Sequence, residues 1–161
     1  MVRNAIYNPI LPNGYNTNFA ELRAVTDTNL VAGKIVKEDG SGKLTLASDL
    51  SPLSYAITDT SAIVFSRTIT SNEYPVALKG RTLVYCEDRE LITNANIGQA
   101  VCASNNGNVR LMTSDEKINY PESIVGYICE VPTYLNYGRK QEIIVDNRIW
   151  IKIWLYVNFS I

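Results

Sequence analysis

The stretch NRIWIKIWLYVNFSI alternates without a break from residue 149 to residue 161. Ile149, Ile151, Ile153, Leu155, Val157, Phe159 and Ile161 share one side, and Trp150, Lys152, Trp154, Tyr156, Asn158 and Ser160 share the other. A period of two is that of a β-strand, here with one aliphatic and one aromatic-polar face. At about 3.3 Å per residue such a run spans roughly 43 Å, well beyond an ordinary strand. Left bare, it would template aggregation. The alternation therefore predicts a strand covered on both faces for part of its length. From Ile149 to Leu155 its aliphatic side is expected to close a core, and Val157 to Ile161 to run past the domain and pair with another subunit.

The same period recurs upstream. Lys34–Lys37 and Lys43–Ala47 flank Glu38-Asp-Gly-Ser-Gly42, which reads as a hairpin whose Gly40 and Gly42 supply positive φ angles. Residues 63–69, 76–86, 124–131 and 142–145 read as further strands, with a bend or bulge expected at Gly80. Residues 99–103 and 109–113 flank Ser-Asn-Asn-Gly-Asn, a second hairpin signal. Only Phe19–Val25 suggests one or two helical turns. Short strands separated by turn signals predict an all-β fold, an antiparallel barrel or sandwich over residues 31–161. Residues 1–30 read as an extended N-terminal arm. Asn-Pro and Asn-Gly steps block regular structure there, yet Ile6, Tyr7, Pro9, Ile10, Leu11, Tyr15 and Phe19 are too apolar for a solvated tail.

Composition narrows the function classes. With 46% hydrophobic and 19% charged residues the chain is expected to be globular, and a net charge of −1 gives no basic field for nucleic acid. No run reaches the ~20 apolar residues of a membrane helix, and the first residues lack the apolar core of a signal peptide. Cys86, Cys102 and Cys129 each lie in an apolar run. An odd number at wide spacing points to buried thiols in a reducing compartment, hence to synthesis in a cytoplasm.

Candidate chemistry is sparse. The chain has no histidine, which removes the commonest general base and most transition-metal sites. Gly40-Ser-Gly-Lys43 resembles a phosphate loop only superficially, because Lys37 and Leu44 stand where that motif needs Gly and Ser or Thr. Asp27-Thr-Asn29 and Asp146-Asn147 lack calcium-loop spacing and read as solvated turns. Glu87-Asp-Arg-Glu90 reads as a charged hairpin tip, Asp115-Glu-Lys117 as a polar loop, and Lys79-Gly-Arg81 as a turn or bulge. Tyr134 and Tyr137 beside Arg139-Lys140 read as a loop packed by its tyrosines. No catalytic residue, metal or cofactor is expected.

Several segments together resemble small head-decoration proteins of tailed phages. They are Ala32-Gly-Lys-Ile-Val-Lys37 with Gly42-Lys-Leu-Thr-Leu-Ala47, Tyr74–Arg81 with Leu83-Val-Tyr85, Ile97-Gly-Gln-Ala-Val101, Asn106-Gly-Asn-Val-Arg110 and Ile124-Val-Gly-Tyr-Ile128. The similarity spans roughly residues 31–157 and extends to trimeric fibre and tailspike chaperone modules. It implies an all-β virion accessory protein seated on the capsid, with the major capsid protein or other virion proteins as partners and a homo-oligomer, a trimer first, as its state.

On these grounds the chain is expected to decorate or reinforce a phage head, or to form a head fibre. The apolar arm residues named above would bind the capsid, and Trp150, Trp154, Tyr156, Val157, Phe159 and Ile161 would mediate self-association. Deletion of residues 1–22 should then leave a folded core that no longer binds particles. A second class is a carbohydrate- or receptor-binding module, with Tyr134, Tyr137, Trp150 and Trp154 as stacking platforms. A third is a self-cleaving fibre domain.

Overall fold

A computed structural model of the chain describes residues 17–27, 30–58, 63–64, 72–87, 91–131, 144–145 and 148–155, with backbone alone at 17–19, 63–64, 144–145 and 148–155. The strands are β1 (Thr17–Ala24), β2 (Ile35–Glu38), β3 (Leu44–Leu46), β4 (Ser54–Ala56), β5 (Ile63–Val64) and β6 (Glu73–Tyr85). They continue as β7 (Ala100–Ala103), β8 (Val109–Leu111), β9 (Ile124–Glu130), β10 (Ile144–Val145) and β11 (Arg148–Leu155). One short helix, α1 (Ser114–Asn119), lies between β8 and β9. The fold is all-β and its sheets are mainly antiparallel.

Eight strands form one sheet in the order β5-β1-β6-β11-β9-β7-β8, with β10 paired to β11, and β3-β2-β4 form a second. Residues 148–155 of the alternating C-terminal run therefore form an interior strand, and the rest of that run lies outside the described residues. Trp150–Trp154 pair with Tyr85–Arg81 of β6 on one edge, and Lys152–Leu155 pair with residues 130–126 of β9 on the other. The expected hairpins are present. β2 pairs with β3 around Gly40 and Gly42, at φ +89° and +90°, and β7 pairs with β8 around Asn106 and Gly107.

β6 is the longest of the described strands, and it meets β1, β11 and Ile57. Its first part pairs with β1 and its last part with β11. Pro75 has no N–H to give the ladder; its carbonyl accepts from Thr58 N at 3.0 Å, and Ile57 bridges Val76. The register against β1 slips so that Phe19 and Ala20 face Lys79 and Ala77. The extra residue is Leu78, two positions before Gly80 at φ +116°, so the bulge expected there is found. At its far end Cys86 bridges Val109 and Glu87 N donates to Val109 O at 2.9 Å. The strand path thus curls back until β8 meets the continuation of β6.

The core collects side chains from both sheets. Ile35, Ala56, Val84, Val101, Ala103, Val109, Val125 and Ile128 form its centre, and Val36, Leu44, Ile57 and Val76 a second cluster under the small sheet. Each valine, leucine or isoleucine among them contributes roughly 1.5–3 kcal/mol by leaving water. One joint between the sheets is the β7–β8 turn. A Cβ on Gly107 would lie 2.6 Å from Leu46 Cδ1 and 3.0 Å from Ile35 O, and Gly107 N donates to Ala47 O at 3.2 Å.

Two expectations about secondary structure are corrected. Phe19–Val25 is not helical: residues 17–24 are β1, with Ala20 and Leu22 buried and Glu21 and Arg23, alternating with them, half-buried. The spacing of Phe19, Leu22 and Val25 fits a helix, but eight residues of pairing with β6 override that weak preference. Asp115-Glu-Lys117 is not a loop but the middle of α1.

Candidate functional site

Charged side chains on the described surface are engaged chiefly with one another and with backbone. Arg110 on β8 is the densest case. Its Nε donates to Asp49 Oδ1 at 2.7 Å and Nη2 to Asp49 Oδ2 at 3.1 Å. The other side of the fork reaches Glu116 Oε1 and Oε2, both at 2.9 Å, and Nη1 also reaches Leu111 O at 3.1 Å. All five guanidinium N–H donors thus have acceptors. Glu116 in turn closes a capping box on α1: Thr113 N donates to Glu116 Oε1, and Glu116 N to Thr113 Oγ1. The Arg110 hydrogen bonds, then the Thr113 amide, pull the Glu116 carboxyl down to about 2.

Arg23 on β1 forms a second fork. It donates to Glu38 at 3.1 and 2.9 Å, tying the large sheet to the β2–β3 hairpin. That pairing, first through its hydrogen bonds, raises the Arg23 pKa and lowers that of Glu38. Asp27 is no solvated turn residue: it accepts from Thr45 Oγ1 at 2.9 Å and Leu46 N at 2.6 Å. Lys34 is buried, with Nζ 3.0 Å from Asn106 O, 2.9 Å from Asn108 Oδ1 and 5.1 Å from the Tyr85 ring centroid. Its ammonium holds the β7–β8 turn against the small sheet. Glu87 accepts a hydrogen bond from Ser104 Oγ.

Cys86 and Cys102 are buried and Cys129 half-buried, all three as free thiols, in keeping with the sequence pattern. Burial pushes the Cys102 thiol up to about 11, so it is a poor nucleophile near neutral pH. Among the described residues no three His, Cys, Asp or Glu side chains stand close enough to hold a metal ion. Among them, too, no helix is long and apolar enough to cross a membrane.

Of the arm residues expected to bind a capsid, Phe19 lies in β1, whose backbone pairs with β6 and β5. Ile6, Tyr7, Pro9, Ile10, Leu11 and Tyr15 fall outside the described residues, as do Tyr134, Tyr137, Tyr156, Val157, Phe159 and Ile161. Trp150 and Trp154 lie in β11, whose backbone is taken up inside the chain's own sheet. Three side chains escaped the sequence reading. Leu53, Ile118 and Tyr120 are large apolar residues left exposed around the turn that opens β9. Comparison with known protein families, curated proteins and solved structures found no match to the chain.

Proposed function

We propose that the chain is a structural module of a phage particle, seated on the capsid surface as one copy of a homo-oligomer, with its N-terminal arm as the contact to the major capsid protein. The supporting observation is how its charges are used. The Arg110 fork ties a loop and α1 to β8, Asp27 ties its loop to β3, the Arg23 fork joins the two sheets, and buried Lys34 holds the β7–β8 turn. A framework braced in this way suits a part that must hold its shape while extended segments engage neighbours. Main-chain pairing by such segments gives affinity without a large fold of their own.

The experiment is particle binding by an arm deletion. The cut belongs before Thr17, because a deletion through residue 22 would also remove most of β1 from the sheet. The chain lacking residues 1–16 is expected to fold, to remain soluble and to lose occupancy on particles. Full occupancy by that truncation removes the arm's role, and absence of the intact chain from particle density overturns the whole reading.

A further inference from the structure

A buried amine and a carboxamide meet where the small sheet touches the β7–β8 turn. Lys34 is 7% exposed, and its Nζ lies 2.9 Å from Asn108 Oδ1 and 3.0 Å from Asn106 O. The buried Tyr85 ring stands 5.1 Å from the same atom. Backbone fixes both ends of the contact. Lys34 O accepts from Ile57 N at 2.9 Å, and Lys34 N donates to Val31 O at 3.3 Å. Across from it, Ser104 N donates to Asn108 O at 2.7 Å, and Asn108 N to Asn105 O at 3.4 Å. Lys34 directly precedes β2 and Asn108 directly precedes β8, so the two side chains join the two sheets between positions 74 apart in the chain.

The pair is also a nucleophile beside an electrophile. A nitrogen hydrogen-bonded to a carbonyl oxygen stands about 3.5–4 Å from the carbon behind it, against roughly 3–3.5 Å for groups ready to react. Removal from water favours the neutral amine, which is the form that attacks. Two oxygens of one tight turn hold Nζ against the amide, so little further ordering is needed before a bond can form. Amide exchange also needs a proton carrier. Glu87 brings a carboxyl to this corner: its backbone N–H donates to Val109 O at 2.9 Å, and its side chain accepts from Oγ of Ser104, the residue opposite Asn108.

We propose that Lys34 and Asn108 form an intramolecular isopeptide bond, with Glu87 as the proton carrier. Nζ of the neutral amine bonds to Cγ of Asn108, and the Cγ–Nδ2 bond breaks. The Glu87 carboxylate takes the proton that Nζ sheds and passes it to Nδ2, which leaves as ammonia. No oxidant, metal or cofactor enters. The bond turns the Lys34 contact into a covalent brace between the small sheet and the β7–β8 turn. It closes a long loop of the chain, which restricts the unfolded state more than the folded one. The chemistry is independent of whether the chain sits on a particle.

The intact mass of the purified chain tests it. A mass about 17 Da below that of the sequence is expected, from one ammonia lost, and the full sequence mass overturns the bond. Cyclisation of Asn106 onto the Gly107 nitrogen loses the same ammonia, so tryptic peptides locate the change. The isopeptide blocks cleavage after Lys34 and joins residues 24–37 to residues 90–110 in one branched peptide. Loss confined to a linear 90–110 peptide, with cleavage after Lys34 intact, overturns the proposal in favour of that ring. Asn108→Ala is expected to keep the full mass of its own sequence, and a loss of ammonia that persists in it overturns the assignment to Asn108. Glu87 is exposed, so its side chain can be changed without opening the core. Glu87→Gln is expected to keep the full mass as well, and a persistent loss there overturns the role given to that carboxyl.

Discussion

Gly107 shows how much one hydrogen atom in place of a methyl can decide. Its φ of +72° already disfavours a side chain, and the position a Cβ would take is filled by Leu46 and the Ile35 carbonyl. Gly42 has φ +90° but open space around it. Gly107→Ala is expected to lower stability by roughly 3 kcal/mol and Gly42→Ala by about 1 kcal/mol, read as the difference in urea midpoints. Both glycines were legible in the sequence as turn residues, because a tight turn is a local demand. The second role of Gly107 was not, since the atoms it must clear belong to a hairpin far upstream. The thiols follow the same division. Their apolar surroundings were readable, and the order of reactivity comes from packing. Native chain treated with a thiol reagent at pH 8 is expected to label at half-buried Cys129 well before Cys102, whose pKa is about 11; mass spectrometry of the peptides gives the order.

At the scale of elements, α1 is short and depends on its ends. Thr113-Ser-Asp-Glu116 is a capping-box pattern present in the sequence. It went unread because six residues are too few for an apolar face to announce a helix. The Arg110 clamp was not readable at all, since Asp49 arrives from a loop before β4. With an ordinary value of 4.5 and a folded value of about 2, the Glu116 carboxylate stabilises the fold above pH 4.5. That stability is lost as the pH falls from there toward 2. Glu116→Gln is expected to lower stability at pH 7 by roughly 1–2 kcal/mol and to flatten the acid limb, so that melting curves of the two proteins converge near the folded value. Parallel acid limbs would place the stabilising charge elsewhere. β1 carries the opposite lesson. Its sequence fits either period, and only the long partner β6 decides between them.

Across the whole molecule, strand existence was largely readable and strand order was not. The alternation at Ile149–Leu155 identified a strand. Nothing local says that it lies between β6 and β9, because pairing partners are chosen by which buried faces must meet. Deletions sort the two ends. Removal of residues 1–16 is expected to leave the melting temperature within a few degrees of the intact chain, whereas removal through Ala24 should lower it by about 10 °C or more, since β1 and the Arg23–Glu38 fork go with it. The placing of β11 also sets an order of events during synthesis. It is the last described strand to be made, and it joins two strands encoded far earlier. Until it emerges, β6 and β9 each present an open edge, the kind of adhesive surface that burdens slow, non-local β folds. A ribosome that stalls before Arg148 releases not a slightly shorter domain but a sheet with a gap between β6 and β9, and such fragments are natural clients for chaperones.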